Sequence, residues 1–161
     1  MLILNSGGTF NKRYNILNGN LEVPYDNYAI EAILDSTNSD FNLAGVVYKD
    51  SLEMDFDDRK MIANIIGESK EKSFLIVHGT DTMHLTAEFL AEVFEDRTIV
   101  ITGAMQPFEI DKVEASLNLG IAIGFLTAAS KEGIYICMSG IVAPWEEIEK
   151  NRNIGKFEVV K

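Results

Sequence analysis

Short, continuously apolar runs and longer stretches with helical spacing take turns along this chain. Met1 to Asn5 (MLILN), Leu43 to Tyr48 (LAGVVY), Phe74 to Val77, Thr98 to Thr102 (TIVIT) and Gly133 to Met138 (GIYICM) predict short buried strands. Helical spacing predicts Tyr28–Leu34, with Ile30, Ile33 and Leu34 inward, and Asp55–Glu68, with Ile62, Ile65 and Ile66 inward. It also predicts Met83–Phe94, with either Leu85, Phe89 and Val93 or Leu90 and Phe94 inward, and a well-covered helix over Val113–Thr127. Strands and helices alternating at this pace predict one three-layer α/β domain over residues 1–161, a mostly parallel sheet with helices on both faces. Gly133–Met138 reads as the last strand. The tail from Ile141 to Lys161 has no strong pattern beyond the polar segment Glu146 to Arg152.

Polar residues gather where the strands end. The first strand runs into Ser6-Gly7-Gly8-Thr9-Phe10, the second into Asp50-Ser51, the third into His78-Gly79-Thr80-Asp81-Thr82 and the fourth into Gly103-Ala104-Met105. In an open parallel sheet these ends share one carboxyl edge, where ligands bind. Paired glycines let the backbone turn sharply and approach a ligand, but the pair here lacks both the GxGxxG and the GK[ST] spacing. Thr80-Asp81-Thr82 opens a helix, so Asp81 or Thr82 is either a helix cap or part of a ligand site. The polar stretch Asn11 to Pro24, with an Asn18-Gly19 turn, predicts a hairpin or a flexible flap placed as a lid.

Composition narrows the classes. The net charge of −11, from 25 acidic against 14 basic residues, together with scattered basic positions, argues against a nucleic-acid surface. No apolar run approaches the roughly 20 residues that span a bilayer, and MLILNSGG reads as a first strand and not a signal peptide. Cys137 is the single cysteine, which excludes an internal disulfide and a multi-cysteine metal site; within its apolar run it reads as a buried structural thiol. A cytoplasmic home is the default expectation. Asp55, Asp57 and Asp58 suit the dipole of the helix they open.

The chemistry on offer is hydroxyl chemistry. A threonine becomes a nucleophile only when a partner takes its proton, and the partners in reach are Asp81, His78 and a lysine. His78, inside a strand-end turn, reads first as a hydrogen-bonded structural histidine; His84 is an ordinary helix residue. No GxSxG elbow and no HExxH pair is present, so neither a serine triad nor a metal site is expected.

Three segments, SGGTF at Ser6–Phe10, HGTDTM at His78–Met83 and TGAMQP at Thr102–Pro107, together resemble the bacterial L-asparaginase family (asparaginase/glutaminase amidohydrolases), whose motifs read TGGTI, HGTDT and GAMRP. The resemblance runs from Met1 to about Glu158 and covers the family's larger N-terminal domain; the smaller C-terminal domain has no counterpart in the chain. It implies that Thr9 is the nucleophile, that Thr80, Asp81 and Lys150 handle the proton, and that Asp81 binds the substrate's α-amino group. Ser51, in DSLEM, then contacts the α-carboxylate, with Leu52 in place of a polar residue, while Gly8, Gly79, Ala104 and Met105 line the substrate. Tyr14 is the nearby candidate for the flap tyrosine, at a different spacing, and Glu114-Ala115 replaces an aspartate-glycine pair.

The implied reaction hydrolyses the side-chain amide of L-asparagine through a threonine acyl-enzyme, with backbone N–H groups near Gly8 or Thr80 holding the oxyanion and no cofactor. An amidase for a different small amide and a non-catalytic amino-acid-binding module stay open as alternatives. A small-molecule partner, no nucleic acid, no membrane and a homodimer or larger homo-oligomer are the expected associations.

Overall fold

The computed structural model describes residues 1–128 and 131–160; Lys161, at the end of the tail, lies outside them. β1 (Leu2–Gly7) leads through a one-turn helix into a small hairpin, β2 (Arg13–Asn15) and β3 (Asn20–Glu22), and then to α1 (Tyr28–Leu34). The alternation continues with β4 (Asn42–Lys49), α2 (Phe56–Glu68), β5 (Ser73–Val77), α3 (Met83–Val93), β6 (Thr98–Thr102), α4 (Lys112–Thr127) and β7 (Gly133–Met138). The main sheet has the order β4-β1-β5-β6-β7-β8, with β8 (Ile141–Pro144) antiparallel at one edge and the other pairings parallel. The three-layer α/β expectation therefore holds.

Side-chain alternation along the strands divides the core in two. Leu4, Phe74, Ile76, Ile99, Ile101 and Ile136 face α2 and α3, where Ile62, Ile66, Met83, Ala87 and Leu90 pack on them. Ile3, Leu75, Val77 and Val100 face the opposite way, onto Ile30 and Ile33 of α1 and Ala115, Leu119 and Ala122 of α4. Because β1 has β4 on one side and β5 on the other, and the crossovers after it lie on opposite faces, the chain reverses direction at the carboxyl end of β1. That crevice is where an open α/β sheet holds its ligand.

Two expectations need correction, and one pair of alternatives resolves. The tail after β7 is ordered: besides β8 it forms a one-turn helix, Trp145–Glu147, and an antiparallel ribbon, β9 (Ile148–Asn151) with β10 (Lys156–Val159). Ile148 and Phe157 anchor the ribbon in the core, and the Phe157 N–H donates to Ser139 Oγ at 3.1 Å. Four-residue strands carry too few positions to show a period. In α3 the Leu90 and Phe94 alternative holds, with Leu90 buried beside Met83 and Ala87 and Phe94 packed on the same core; of the other set only Phe89 packs there, meeting Phe56 edge-on at 5.3 Å, whereas Leu85 and Val93 are exposed. α4 is not covered all round: Val113 and Leu117 point to solvent, because the sheet takes only the Ala115, Leu119 and Ala122 side.

Candidate active site

Glycine backbones bring the strand ends together. Gly8, with φ 77°, packs so closely on the next loop that a Cβ there would lie 2.4 Å from Gly79 N. A Cβ on Gly79 would in turn lie 2.6 Å from Ser51 Oγ. Thr9 and Thr80 are thus the residues that follow two touching glycines, with Ser51 stacked beside them. The Gly8 N–H is used on Lys49 O at 2.8 Å, so it is not free to hold an oxyanion. Tyr48, at φ 56°, bends the end of β4 so that Lys49, Asp50 and Ser51 turn toward this edge; the sheet register shifts at the same level, between Asn5 and Gly7.

The ribbon delivers the lysine. Lys150, on β9, donates from Nζ to Thr80 Oγ1 at 2.8 Å and to Asp81 Oδ1 at 2.9 Å. Its side chain is 15% exposed, and Arg152, two residues on, donates to the same Asp81 oxygen at 2.6 Å. Burial works to raise the Asp81 pKa, but the hydrogen bonds and charges of Lys150 and Arg152 outweigh it and hold the carboxyl below its usual range. A cleft of about 190 Å³ opens here, lined by Thr80, Asp81, His84, Glu149, Lys150 and Arg152 over an apolar floor that includes Ile136 and Phe157; Thr9 and Ser51 do not line it.

The helix-cap alternative for Asp81 and Thr82 does not hold. Thr82 is the residue before α3, yet its hydroxyl makes no cap and donates to Ser51 O at 2.8 Å. Asp81 is engaged by the two cations. Behind them lies a buried chain of polar groups: Arg59 donates to Thr82 Oγ1 at 3.2 Å and to Thr86 Oγ1 at 3.1 Å, and Thr86 Oγ1 lies 2.8 Å from His78 Nε2. The other ring nitrogen, Nδ1, is 2.8 Å from Gly79 O, so a neutral His78 donates there and accepts from Thr86. Burial above all, with the Arg59 charge adding to it, pushes His78 down to about 4. It is a fully buried structural residue that holds the Gly79 turn.

Other expected positions are placed as follows. Ser51 is 1% exposed and its Oγ has no hydrogen-bond partner among the described residues. Lys12 ties the loop after Thr9 to the Ser51 turn by a 2.5 Å contact with Asp50. Ala104 is buried and Met105 half-buried in a loop held by Glu114, whose carboxylate accepts from Met105 N at 2.9 Å and Gln106 N at 3.1 Å. Tyr14 is not brought in: it is 56% exposed on β2, and its hydroxyl sits 3.7 Å from where a Cβ on Gly19 would be, at the hairpin's own turn. Cys137 is buried, and burial raises its thiol to about 12. Asp55 and Asp58 make a reciprocal cap at the start of α2, but Asp58 goes beyond the dipole role and also binds Lys49 at 2.8 Å.

Sequence reasoning missed Arg59 and Arg152, and named Glu114 only as part of a changed aspartate-glycine pair. Arg59 sits in DFDDRK and reads as surface, whereas the structure buries it to 8% exposure with four hydrogen-bonded partners.

An open α/β domain with paired threonines, a lysine and a carboxylate at its switch point is the class that fold and site define. Residues 1–155 match the family model described as Asparaginase, N-terminal, and the chain belongs to that family. L-asparaginase 2 of Escherichia coli (strain K12) is 35% identical over 86 residues, 50% of this chain and 24% of that protein. Glutaminase-asparaginase of Acinetobacter glutaminasificans is 29% identical over 98 residues, 59% of this chain and 30% of that protein. Among solved structures, the thermostable L-asparaginase from Thermococcus kodakarensis superposes with a TM-score of 0.85 at 21% identity, over 99% of this chain and 50% of that one. The probable cytoplasmic L-asparaginase from Campylobacter jejuni gives 0.79 at 23%, over 98% and 52%. The chain therefore spans about half the length of these solved relatives.

Proposed function

We propose that this chain is a threonine amidohydrolase that releases ammonia from the side-chain amide of L-asparagine or a closely related small amide. The observation that carries the reading is the position of Lys150, which meets Thr80 Oγ1 at 2.8 Å and Asp81 Oδ1 at 2.9 Å. A lysine pressed onto a threonine hydroxyl by a carboxylate is a proton handler waiting for a reacting group. A module that only binds has no use for it.

In the first step Thr9 Oγ attacks the amide carbonyl, and its proton passes to the Thr80–Lys150 pair. The pair must hold the amine neutral at that moment, and Asp81 keeps it on line. The tetrahedral oxyanion is held by a backbone N–H of the Thr80 turn, since the Gly8 N–H is taken. Collapse breaks the C–N bond, the same proton goes to the departing nitrogen, and ammonia leaves an ester on Thr9. Water, deprotonated by the same pair, then releases the carboxylate product.

The reading further takes residues 1–161 as one domain, in the cytoplasm, acting as a homodimer or larger homo-oligomer. The direct test is ammonia release from L-asparagine and L-glutamine by the wild type and by Thr9→Ala. Release that vanishes in the variant supports the mechanism; equal release by both proteins sinks it.

A further inference from the structure

Asn5 joins the loop that carries Thr9 to both feet of the β2–β3 hairpin. It lies near the end of β1, two residues after Ile3 on the face that packs on α1 and α4, and it is fully buried. Its Oδ1 accepts from Gly7 N and from Asn11 Nδ2, each at 3.0 Å. Its Nδ2 donates to Asp26 O at 3.1 Å and to Asn27 Oδ1 at 2.9 Å. Two of these partners fix which way the amide faces, since Gly7 N–H can only donate and Asp26 O can only accept.

The Gly7 peptide is where β1 leaves its register with β4, at a φ of 102°. Side chains clamp it from both ends: Asn5 takes its N–H, and Asn11 Nδ2 donates to its carbonyl at 2.8 Å. Asn11 is itself buried, and its own N–H returns to Gly8 O at 3.2 Å, which closes one turn around Thr9. An apolar side chain at position 5 would leave Gly7 N–H and the Asn11 amide without their buried acceptor, a loss that costs more than the bond itself is worth. The placement of Thr9 thus hangs on two asparagines that flank it in sequence.

The hairpin leaves the body of the domain at Asn11 and returns at Asp26, so Asn5 touches both feet. The Arg13–Asp26 ion pair closes the same gap. Asn27 Oδ1 also accepts from the Tyr48 hydroxyl at 3.2 Å, which ties the joint to the bend before Ser51. Leu21, Val23 and Tyr25, on the returning leg, face Tyr48, Asp50 and Leu52 across a cleft of about 520 Å³. We propose that Asn5 is a positioning residue that couples the stance of the hairpin to the placement of the Thr9 hydroxyl, so that hairpin and nucleophile loop move as one piece. The effect on turnover rests on the amidohydrolase reading; the mechanical coupling does not.

The test compares the wild type with Asn5→Ala, which removes the joint, and with Asn27→Ala, which removes the acceptor at one foot and no hydrogen bond of the Thr9 loop. Amide hydrogen exchange is followed residue by residue, with steady-state ammonia release from L-asparagine alongside. Asn27→Ala should speed exchange in β2 and β3 and, together with them, at Gly7, Gly8 and Asn11, while β6 and β7 keep the wild-type rates. Its kcat should fall about tenfold and that of Asn5→Ala about 10²-fold, the scale of an ångström of misplacement at the reacting atoms, with KM within about twofold in both. Faster exchange confined to the hairpin, wild-type exchange in both segments, or a rise in KM with kcat kept overturns the proposal. Asn27 is only half-buried, so its variant decides the matter alone where Asn5→Ala does not fold. A wild type that releases no ammonia sinks the amidohydrolase reading instead, and the exchange pattern then decides whether the joint stands.

Discussion

Lys150 Nζ lies 2.8 Å from Thr80 Oγ1 across 70 residues of sequence, and the β9–β10 ribbon alone makes that meeting possible. Ile148 and Phe157 bury the ribbon against the sheet, so the alternation of β9 turns Lys150 inward with them. The hydroxyl, the amine and the Asp81 carboxylate form one unit and lose their purpose separately. Lys150→Met keeps the aliphatic stem and removes the proton handler. Ammonia release should fall about 10²–10⁴-fold, the usual worth of a positioned base, with the loss in kcat and not in KM. Steady-state kinetics on the variant checks this, and wild-type turnover would remove Lys150 from the mechanism.

The Gly8–Gly79 contact yields a prediction about stability. Gly8→Ala would set a methyl 2.4 Å from backbone nitrogen at φ 77°, where neither loop can yield without moving Thr9 or Thr80. Gly140→Ala has φ 80° but nothing within 4 Å, so it carries the backbone strain alone. Urea unfolding should show roughly 3 kcal/mol lost for Gly8→Ala and about 1 kcal/mol for Gly140→Ala. Equal losses would mean that the loops are not in contact.

How much of this was legible in the sequence depended on the length of each element. The strands MLILN and TIVIT and the Ile62, Ile66 face of α2 could be read directly, because a buried parallel sheet leaves long apolar runs. The Gly-Gly and HGTDT turns were legible because special backbone demands special residues. The ribbon was not: IEKN and KFEV are four residues each, and in them Lys150 looks like any exposed lysine. It was reached through family resemblance alone. Arg59 misled for the opposite reason, since its charged neighbours suggest solvent while its actual partners, Thr82 and Thr86, lie some 23 and 27 residues away. Long-range polar pairing leaves no local pattern to read.

Glu114 gives a prediction about the third loop. Its two carboxylate oxygens accept from Met105 N and Gln106 N at 2.9 and 3.1 Å, which fixes the turn that follows Ala104. Glu114→Ala leaves both amides to water and should cost about 1–2 kcal/mol. Because Ala104 and Met105 border the substrate in the proposed site, KM should rise while the Lys150 chemistry persists. Chemical denaturation and KM measured together check it; a fall in kcat with KM unchanged would show that the loop does more than position substrate.

His78 makes the stability of this protein depend on pH in a definite window. Its ring is fully buried and titrates at about 4, below the ordinary 6.5. Between those values the unfolded chain holds a proton that the folded chain refuses, so stability rises with pH there. The contribution is complete above pH 6.5 and is lost as the pH falls toward 4, by up to roughly 3 kcal/mol. Asp50, Asp81 and Asp96, all with lowered pKa values, act in a separate window: their stabilisation holds above the ordinary 3.8 and fades only as acid reaches their lower folded values. Urea unfolding from pH 7 to 4 should therefore lose stability well before the carboxylates begin to protonate, and ring resonances of His78 should stay those of a neutral imidazole until near pH 4. A flat stability profile over that range, or a His78 that titrates near 6.5, would show that the ring is hydrated and that the Thr86–His78–Gly79 chain does not hold the turn carrying Thr80.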